Sequence, residues 1–186
     1  FRALGADNMP ASGGVILASN HQSFMDPIIL SVALTRPISF MARKSLFSNR
    51  FFGALISSVH AFPVARDRGD VAAVRETMRR LSRGEIITVF PEGTRTLDGH
   101  IAPLKPGAFV IACRSGVPVV PAVINGAFES WPRNHLLPRP VQIAAAYGRP
   151  LCPADFANDP RALADACKDS MLELQARLLV LTKRKI

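Results

Sequence analysis

The sequence predicts an α/β fold: a mixed, largely parallel sheet covered by helices. Three observations carry this. Short apolar runs of β character alternate with segments of helical period along the whole chain, which is the pattern of strand–helix–strand units. The run Ile86–Phe90 reads as a buried strand leading into a turn, as expected of a sheet covered by helices. The 186 residues suit one domain able to bury most of its apolar surface. We therefore expect a single domain over 1–186.

Val15–Ser19 is the first expected strand, followed by an apolar helix over Ile28–Leu34. Further strands are expected at Ile38–Ala42, Ala61–Val64, Ile86–Phe90, Val119–Ile124 and Val141–Tyr147. Helical patterns fall at Arg50–Ser58, Val71–Arg83, Gly107–Ser115 and Pro160–Leu181. In Val71–Arg83 the apolar residues Val71, Val74, Met78 and Leu81 recur at three- and four-residue spacing and form the stripe expected on the sheet. Arg75, Arg79 and Arg83 form a second, solvated stripe. The last helix stacks Leu163, Cys167, Met171, Leu174 and Leu178 before ending in Lys183-Arg184-Lys185, positive charge that complements the helix dipole. Gly126–Pro140, rich in Pro and Arg, reads as loop. No internal repeat or low-complexity segment interrupts the pattern.

Composition narrows the function. Hydrophobic residues make up 48% of the chain, which excludes disorder, and the formal net charge of +9 favours phosphate-bearing partners such as anionic lipid surfaces. Nucleic acid is disfavoured, because one Trp and one Tyr give no base-stacking platform among the basic residues. The apolar stretch Phe109–Phe128 is broken by Arg114, Pro118 and Pro121, so it does not read as a membrane span. Phe1–Gly14 has no signal-peptide core, and a start at Phe1 leaves open an anchoring segment ahead of it. Cys113, Cys152 and Cys167 lack metal-ligand spacing and read as buried free thiols of a reducing compartment. No metal site is expected.

The most informative run is Asn20-His21-Gln22-Ser23-Phe24-Met25-Asp26-Pro27, directly after the first strand. It sets a group that titrates near neutrality close to a carboxylate that can orient it. On a straight helix, residues five apart diverge by roughly 140°. The two side chains can meet only if the chain turns between them, with His21 outside the helix and Asp26 in its first turn. Ser23 with Asp26 reads as a capping box, and Pro27 is tolerated in a first turn. No Ser or Cys stands out as a protein nucleophile, so the hydroxyl to be activated belongs to a substrate. His60, His100 and His135 have no carboxylate at comparable spacing and read as structural or surface residues.

A second constellation, Val89-Phe90-Pro91-Glu92-Gly93-Thr94-Arg95, closes a buried strand with a turn. Glycine permits close backbone approach to a ligand, turn N–H groups favour anions, and Arg95 offers a forked donor matched to phosphate. Lys105 precedes a helix N-terminus that also favours an anion.

These motifs resemble those of the glycerolipid acyltransferases. Asn20 to Pro27 looks like their His-x4-Asp box, and Phe90-Pro91-Glu92-Gly93-Thr94-Arg95 looks like their phosphate-binding box, at a matching separation of about seventy residues. Ala42-Arg43-Lys44-Ser45-Leu46-Phe47 and Phe62-Pro63-Val64-Ala65-Arg66 resemble the intermediate blocks, and Val117-Pro118-Val119-Val120-Pro121-Ala122 the last one. The resemblance, to the 1-acylglycerol-3-phosphate acyltransferase family, covers about residues 5 to 150. It implies the sandwich fold of that family, with His21 as general base and Asp26 as its orienting acid. It places Arg95, Arg66, Lys105, Gly93, Thr94 and Glu92 at the acceptor phosphate, with Lys44 a further candidate. Glu92 could instead bond a glycerol hydroxyl or brace an arginine.

The implied reaction moves a fatty acyl group from acyl-coenzyme A or acyl carrier protein to lysophosphatidic acid and needs no cofactor. Another lyso-lipid or an amino-lipid is the alternative acceptor. A non-catalytic module that binds anionic membranes is a further alternative, against which the intact His21–Asp26 pair argues. The implied location is the cytoplasmic face of the cell membrane. One position departs from the family pattern: Ala65 stands where many members carry an acidic residue before the arginine.

Overall fold

The computed structural model describes residues 1–43, 47–48, 54, 57, 60–64, 71–131, 137 and 139–182. Seven strands form one sheet: β1 (Arg2–Leu4), β2 (Val15–Ser19), β3 (Ile38–Arg43), β4 (Ala61–Val64), β5 (Ile86–Val89), β6 (Val119–Asn125) and β7 (Ala144–Tyr147), in the spatial order β1-β7-β6-β2-β5-β3-β4. Every pairing is parallel except β6 with β7. The described helices are α1 (Asp26–Ser31), α2 (Val71–Ser82), α3 (Gly107–Ser115), α4 (Ala127–Ser130) and α5 (Pro160–Thr182). The mixed, largely parallel sheet read from the sequence is thus the one observed. The expected helix Arg50–Ser58 falls largely outside the described residues, as does the Lys183-Arg184-Lys185 tail.

The central strand β2 is buried on both sides, which explains its unbroken apolar run. Ile16 and Ala18 face one core together with Phe109, Leu163, Met171 and Leu178, under α2, α3 and α5. Val15 and Leu17 face the other, with Ile29, Leu30, Ile38 and Tyr147, under α1. Tyr147, at the end of β7, donates its hydroxyl to the Leu30 carbonyl at 2.7 Å. That carbonyl lies in the last turn of α1, where no helical partner exists for it, so the bond pins α1 to the sheet. Burial pushes the Tyr147 phenol well above its usual range.

Four readings need correction. No sequence pattern pointed to β1, an edge strand of three mostly exposed residues paired with β7. Val71 is exposed rather than part of the packing stripe, because α2 begins there. Thr77 takes the buried place, its hydroxyl donating to the Ala73 carbonyl at 2.8 Å. The stretch after Gly126 opens with the short helix α4 rather than loop, since its first N–H groups find an acceptor in Gln22. Lastly, Cys152 is exposed, whereas Cys167 is buried and its thiol is pushed up to about 12 by that burial.

The cysteine environments give a simple prediction. Iodoacetamide at mild alkaline pH should label Cys152 in the native protein and Cys167 only after unfolding, because the thiolate is the reactive form. Peptide mass mapping of labelled protein would check it, and native labelling of Cys167 at the rate of Cys152 would contradict the burial.

Candidate active site

The chain leaves β2 at Ser19 and β5 at Val89, and these neighbouring parallel strands bring both motifs to one end of the sheet, with Ala18 in register with Val89. Between β5 and β6 the chain also crosses from one side of β2 to the other. The carboxyl ends of strands at such a crossing form the crevice where open α/β sheets bind ligands.

The His-x4-Asp run is held residue by residue. Asn20 continues the β2–β6 pairing with its side chain, Oδ1 accepting the Ile124 N–H at 2.8 Å and Nδ2 donating to the Ile124 carbonyl at 2.9 Å. Gln22 Oε1 accepts the N–H groups of Ala127 and Phe128 at 3.1 and 3.2 Å. The chain then turns, and Asp26 opens α1 fully buried. Its Oδ2 takes three donors: Gln22 N–H at 2.6 Å, Ser23 N–H at 2.8 Å and His21 Nδ1 at 2.7 Å. The turn required by five-residue spacing is therefore present. Only half of the expected capping box forms, because the Ser23 hydroxyl accepts from Met25 N–H at 3.4 Å rather than from Asp26.

With Nδ1–H donating to the carboxylate, the His21 lone pair sits on Nε2. The ring stacks on Phe90 with centroids 4.0 Å apart and planes 16° from parallel, and its side chain is 21% exposed. One nitrogen is oriented by a buried acid while the other can meet a ligand. The His21 backbone is also clamped, its N–H donating to Glu92 Oε1 at 2.7 Å and its carbonyl accepting from Thr96 N–H at 2.7 Å.

The 90–96 turn carries the cationic rim. Gly93 adopts φ +78°, and a Cβ there would stand 2.6 Å from Lys105 Nζ, so the lysine lies directly against the turn. Lys105 N–H donates to the Pro91 carbonyl at 2.9 Å. The Arg95 guanidinium lies 3.6 Å above the Phe24 ring, beside the His21 loop. Thr94 is exposed in the same turn. The structure thus gathers His21, Asp26, Glu92, Gly93, Thr94, Arg95 and Lys105 at one sheet end. Arg66 and Lys44 lie outside the described residues.

Glu92 lies beneath the turn rather than on its exposed rim. It is 4% exposed, and its two oxygens accept backbone N–H groups, Oε1 from His21 and Oε2 from Ala102 at 2.8 Å. Burial pushes its carboxyl upward, opposed by those two donors. Buried, with an N–H group on each oxygen, the carboxylate braces the His21 and Ala102 segments against the turn.

Sequence reasoning passed over Phe90 as a ring platform and Thr96 as a clamp. A signal for the clamp existed in Thr96-Leu97-Asp98-Gly99, a hydroxyl and a carboxylate before glycine. The Thr96 hydroxyl donates to Asp98 Oδ1 at 3.0 Å and accepts Gly99 N–H at 3.0 Å, closing that loop. Exposed His60 and His100 match their expected surface reading, and His135 lies outside the described residues.

An open, largely parallel sheet with an acid-oriented imidazole at its strand ends is the build of an α/β enzyme that works on a ligand from the crevice. Comparison with known proteins names the kind. The chain belongs to the acyltransferase family, whose model matches residues 1–125. It is 34% identical over 178 residues to the 1-acyl-sn-glycerol-3-phosphate acyltransferase of Bacillus subtilis, covering 92% of this chain and 86% of that protein. It is 35% identical over 131 residues to the chloroplastic 1-acyl-sn-glycerol-3-phosphate acyltransferase BAT2 of Brassica napus, covering 69% of this chain but 38% of that longer protein. Among solved structures, the 1-acyl-sn-glycerophosphate acyltransferase PlsC of Thermotoga maritima superposes with a TM-score of 0.81 at 27% identity, over 94% of this chain and 70% of that one.

Proposed function

We propose that this protein transfers a fatty acyl group from an acyl thioester, acyl-coenzyme A or acyl carrier protein, to the free hydroxyl of 1-acylglycerol-3-phosphate, giving phosphatidic acid. The observation that carries the proposal is the 2.7 Å His21 Nδ1–Asp26 contact, with Arg95 over Phe24 of the same loop and Lys105 against the turn that clamps the His21 backbone. The names of the relatives support the acceptor.

In this reading His21 Nε2 removes the proton from the acceptor hydroxyl as its oxygen attacks the thioester carbonyl carbon. Asp26 balances the imidazolium that forms. The tetrahedral intermediate collapses, the carbon–sulfur bond breaks, and the imidazolium returns its proton to the departing thiolate. No acyl-enzyme forms, and the residues called on are all the chain's own. Arg95 and Lys105 hold the acceptor phosphate, so binding far from the reacting hydroxyl positions it. The test is a transfer assay offering lysophosphatidate with each donor in turn and reading products by mass. Absence of phosphatidate with both donors would overturn the proposal.

Arg95→Ala should weaken use of phosphate-bearing acceptors by about 10- to 100-fold in kcat/KM, the worth of a charge-assisted hydrogen bond of about 1.5–3 kcal/mol. Acceptors without phosphate should be affected far less. Equal losses for both kinds would remove Arg95 from the phosphate site.

Association with an anionic membrane face belongs to the same proposal. Phe24 in the turn before α1, Ile28 within it and Val32 at its C-cap recur at four-residue spacing and are 67%, 50% and 63% exposed, an apolar row beginning under Arg95. Leu97, just past the cationic turn, is 77% exposed. Apolar residues flanked by cations suit a surface with anionic headgroups and hydrocarbon beneath. No described helix is long and apolar enough to cross a membrane. The double substitution Ile28→Ser with Val32→Ser should weaken binding to phosphatidylglycerol-containing vesicles by about tenfold or more, given about 1 kcal/mol or more per half-buried side chain. Transfer to a dispersed short-chain acceptor should persist. Vesicle flotation unchanged by the pair would exclude this row as the contact.

A further inference from the structure

We infer that Glu92 is a positioning residue: it fixes the His21 imidazole at a set place relative to the phosphate-holding rim and touches no substrate itself. The inference rests on the proposed transfer reaction for its kinetic readout, and on the carboxylate's geometry alone for its structural one.

The carboxylate is a junction of three chain segments. Glu92 belongs to the turn after β5, Oε1 reaches the His21 N–H at the end of β2, and Oε2 reaches the Ala102 N–H ahead of α3. Beyond the strand ends the carboxylate joins these segments together with single backbone bonds, Thr96 N–H to the His21 carbonyl and Lys105 N–H to the Pro91 carbonyl. The neighbouring residue Gly93 carries the Lys105 side chain against it, and Arg95 follows two residues on. The Glu92 side chain therefore bonds the base's segment and the segment ahead of α3 to the turn that bears the cations. The remaining holds on His21, the Thr96 N–H on its carbonyl and the Phe90 ring beneath its own, come from the same turn.

Residue choice follows from the donors. Both partners are N–H groups, so the side chain must present two acceptor atoms, and an ionised carboxylate makes the stronger bond to each. Glutamine offers one oxygen and would turn its NH2 group toward the other N–H. Aspartate is one methylene shorter than the present span. The near-complete burial of Glu92 leaves no face for a glycerol hydroxyl, which separates this role from substrate contact.

The experiment is Glu92→Gln in the full chain, with kcat and acceptor KM measured separately. A misplacement of about 1 Å in a reacting group costs on the order of 10²-fold. We expect kcat to fall by about 10- to 100-fold while acceptor KM stays within about twofold. A rise in acceptor KM with kcat preserved would identify Glu92 as a substrate contact and overturn the inference. Unchanged kcat in folded E92Q would also overturn it.

Amide hydrogen exchange in the unsubstituted protein provides a readout independent of activity and of the variant's folding. The His21 and Ala102 amides should exchange at least about 10³-fold more slowly than the exposed amides of the same loops, since both donate to a buried acceptor. Fast exchange at either site removes the junction. If wild-type protein transfers no acyl group yet both amides are protected, the reaction proposal fails while the junction stands.

Discussion

His21→Ala should lower turnover by roughly 10²–10⁴-fold, the usual contribution of a general base, with the fold intact. The physical reason lies in what the substitution removes and what it spares. It removes Nε2, which receives the hydroxyl proton, and the Nδ1 bond to Asp26. It spares the backbone bonds of residue 21 to Glu92 and Thr96, which alanine makes equally well. Asp26 Oδ2 keeps the N–H groups of Gln22 and Ser23, so the buried carboxylate stays hydrogen-bonded. The lost Phe90 stacking should cost about 1 kcal/mol of stability. Turnover measured beside a urea melt decides the matter, and a folded variant with undiminished turnover would remove His21 from the chemistry.

The second large effect divides according to the residue placed at Asp26. Asp26→Ala should cost about 3–5 kcal/mol of stability and abolish measurable transfer. Two backbone N–H groups and the imidazole donor would lose their shared acceptor inside a buried turn, at about 1–3 kcal/mol each. Asp26→Asn should fold far better. All three partners of Oδ2 are donors, so an asparagine oxygen in that place accepts all three and holds His21 in the same tautomer. What asparagine lacks is the negative charge that balances the imidazolium. Its NH2 group would occupy the place of Oδ1, a buried atom with no partner among the described residues. Stability should therefore drop by about 1–2 kcal/mol, while turnover falls by roughly 10- to 10³-fold, as a charged acceptor gives way to a neutral one. Denaturant midpoints and kcat for both variants separate orientation from charge. Equal turnover in Asp26→Asn and wild type would refute the charge-balancing role.

Much of the site was readable in the chain because its signals are local. His21 and Asp26 lie within one turn, and five-residue spacing demanded the bend that Asp26 Oδ2 closes by taking the intervening N–H groups. Gly93 reads as allowing close approach to the backbone, and the Lys105 side chain lies against it, with Gly93 at φ +78°. The two backbone bonds of Glu92 were not readable, for the opposite reason. Its carboxylate is identical in sequence whether it faces a ligand or two backbone donors, and only burial distinguishes the cases. Asn20 and Gln22 carried no role of their own in the sequence, yet their acceptors reach Ile124 and the first N–H groups of α4, partners more than a hundred residues away.

Hydrophobic period and turn chemistry by themselves determined the fold class, six of the seven strands, the buried face of α5 and the histidine–aspartate turn, because each depends on residues a few positions apart. Strand order depends on contacts between distant segments, and there the tertiary structure decided. Placing β5 beside β2 brings two motifs about seventy residues apart to one crevice, and threading β6 along the other edge of β2 opens it. The edge strand β1, the exposure of Val71 and the two bonds of Glu92 were settled at the same level, since burial is a property of the assembled sheet and not of any window of sequence.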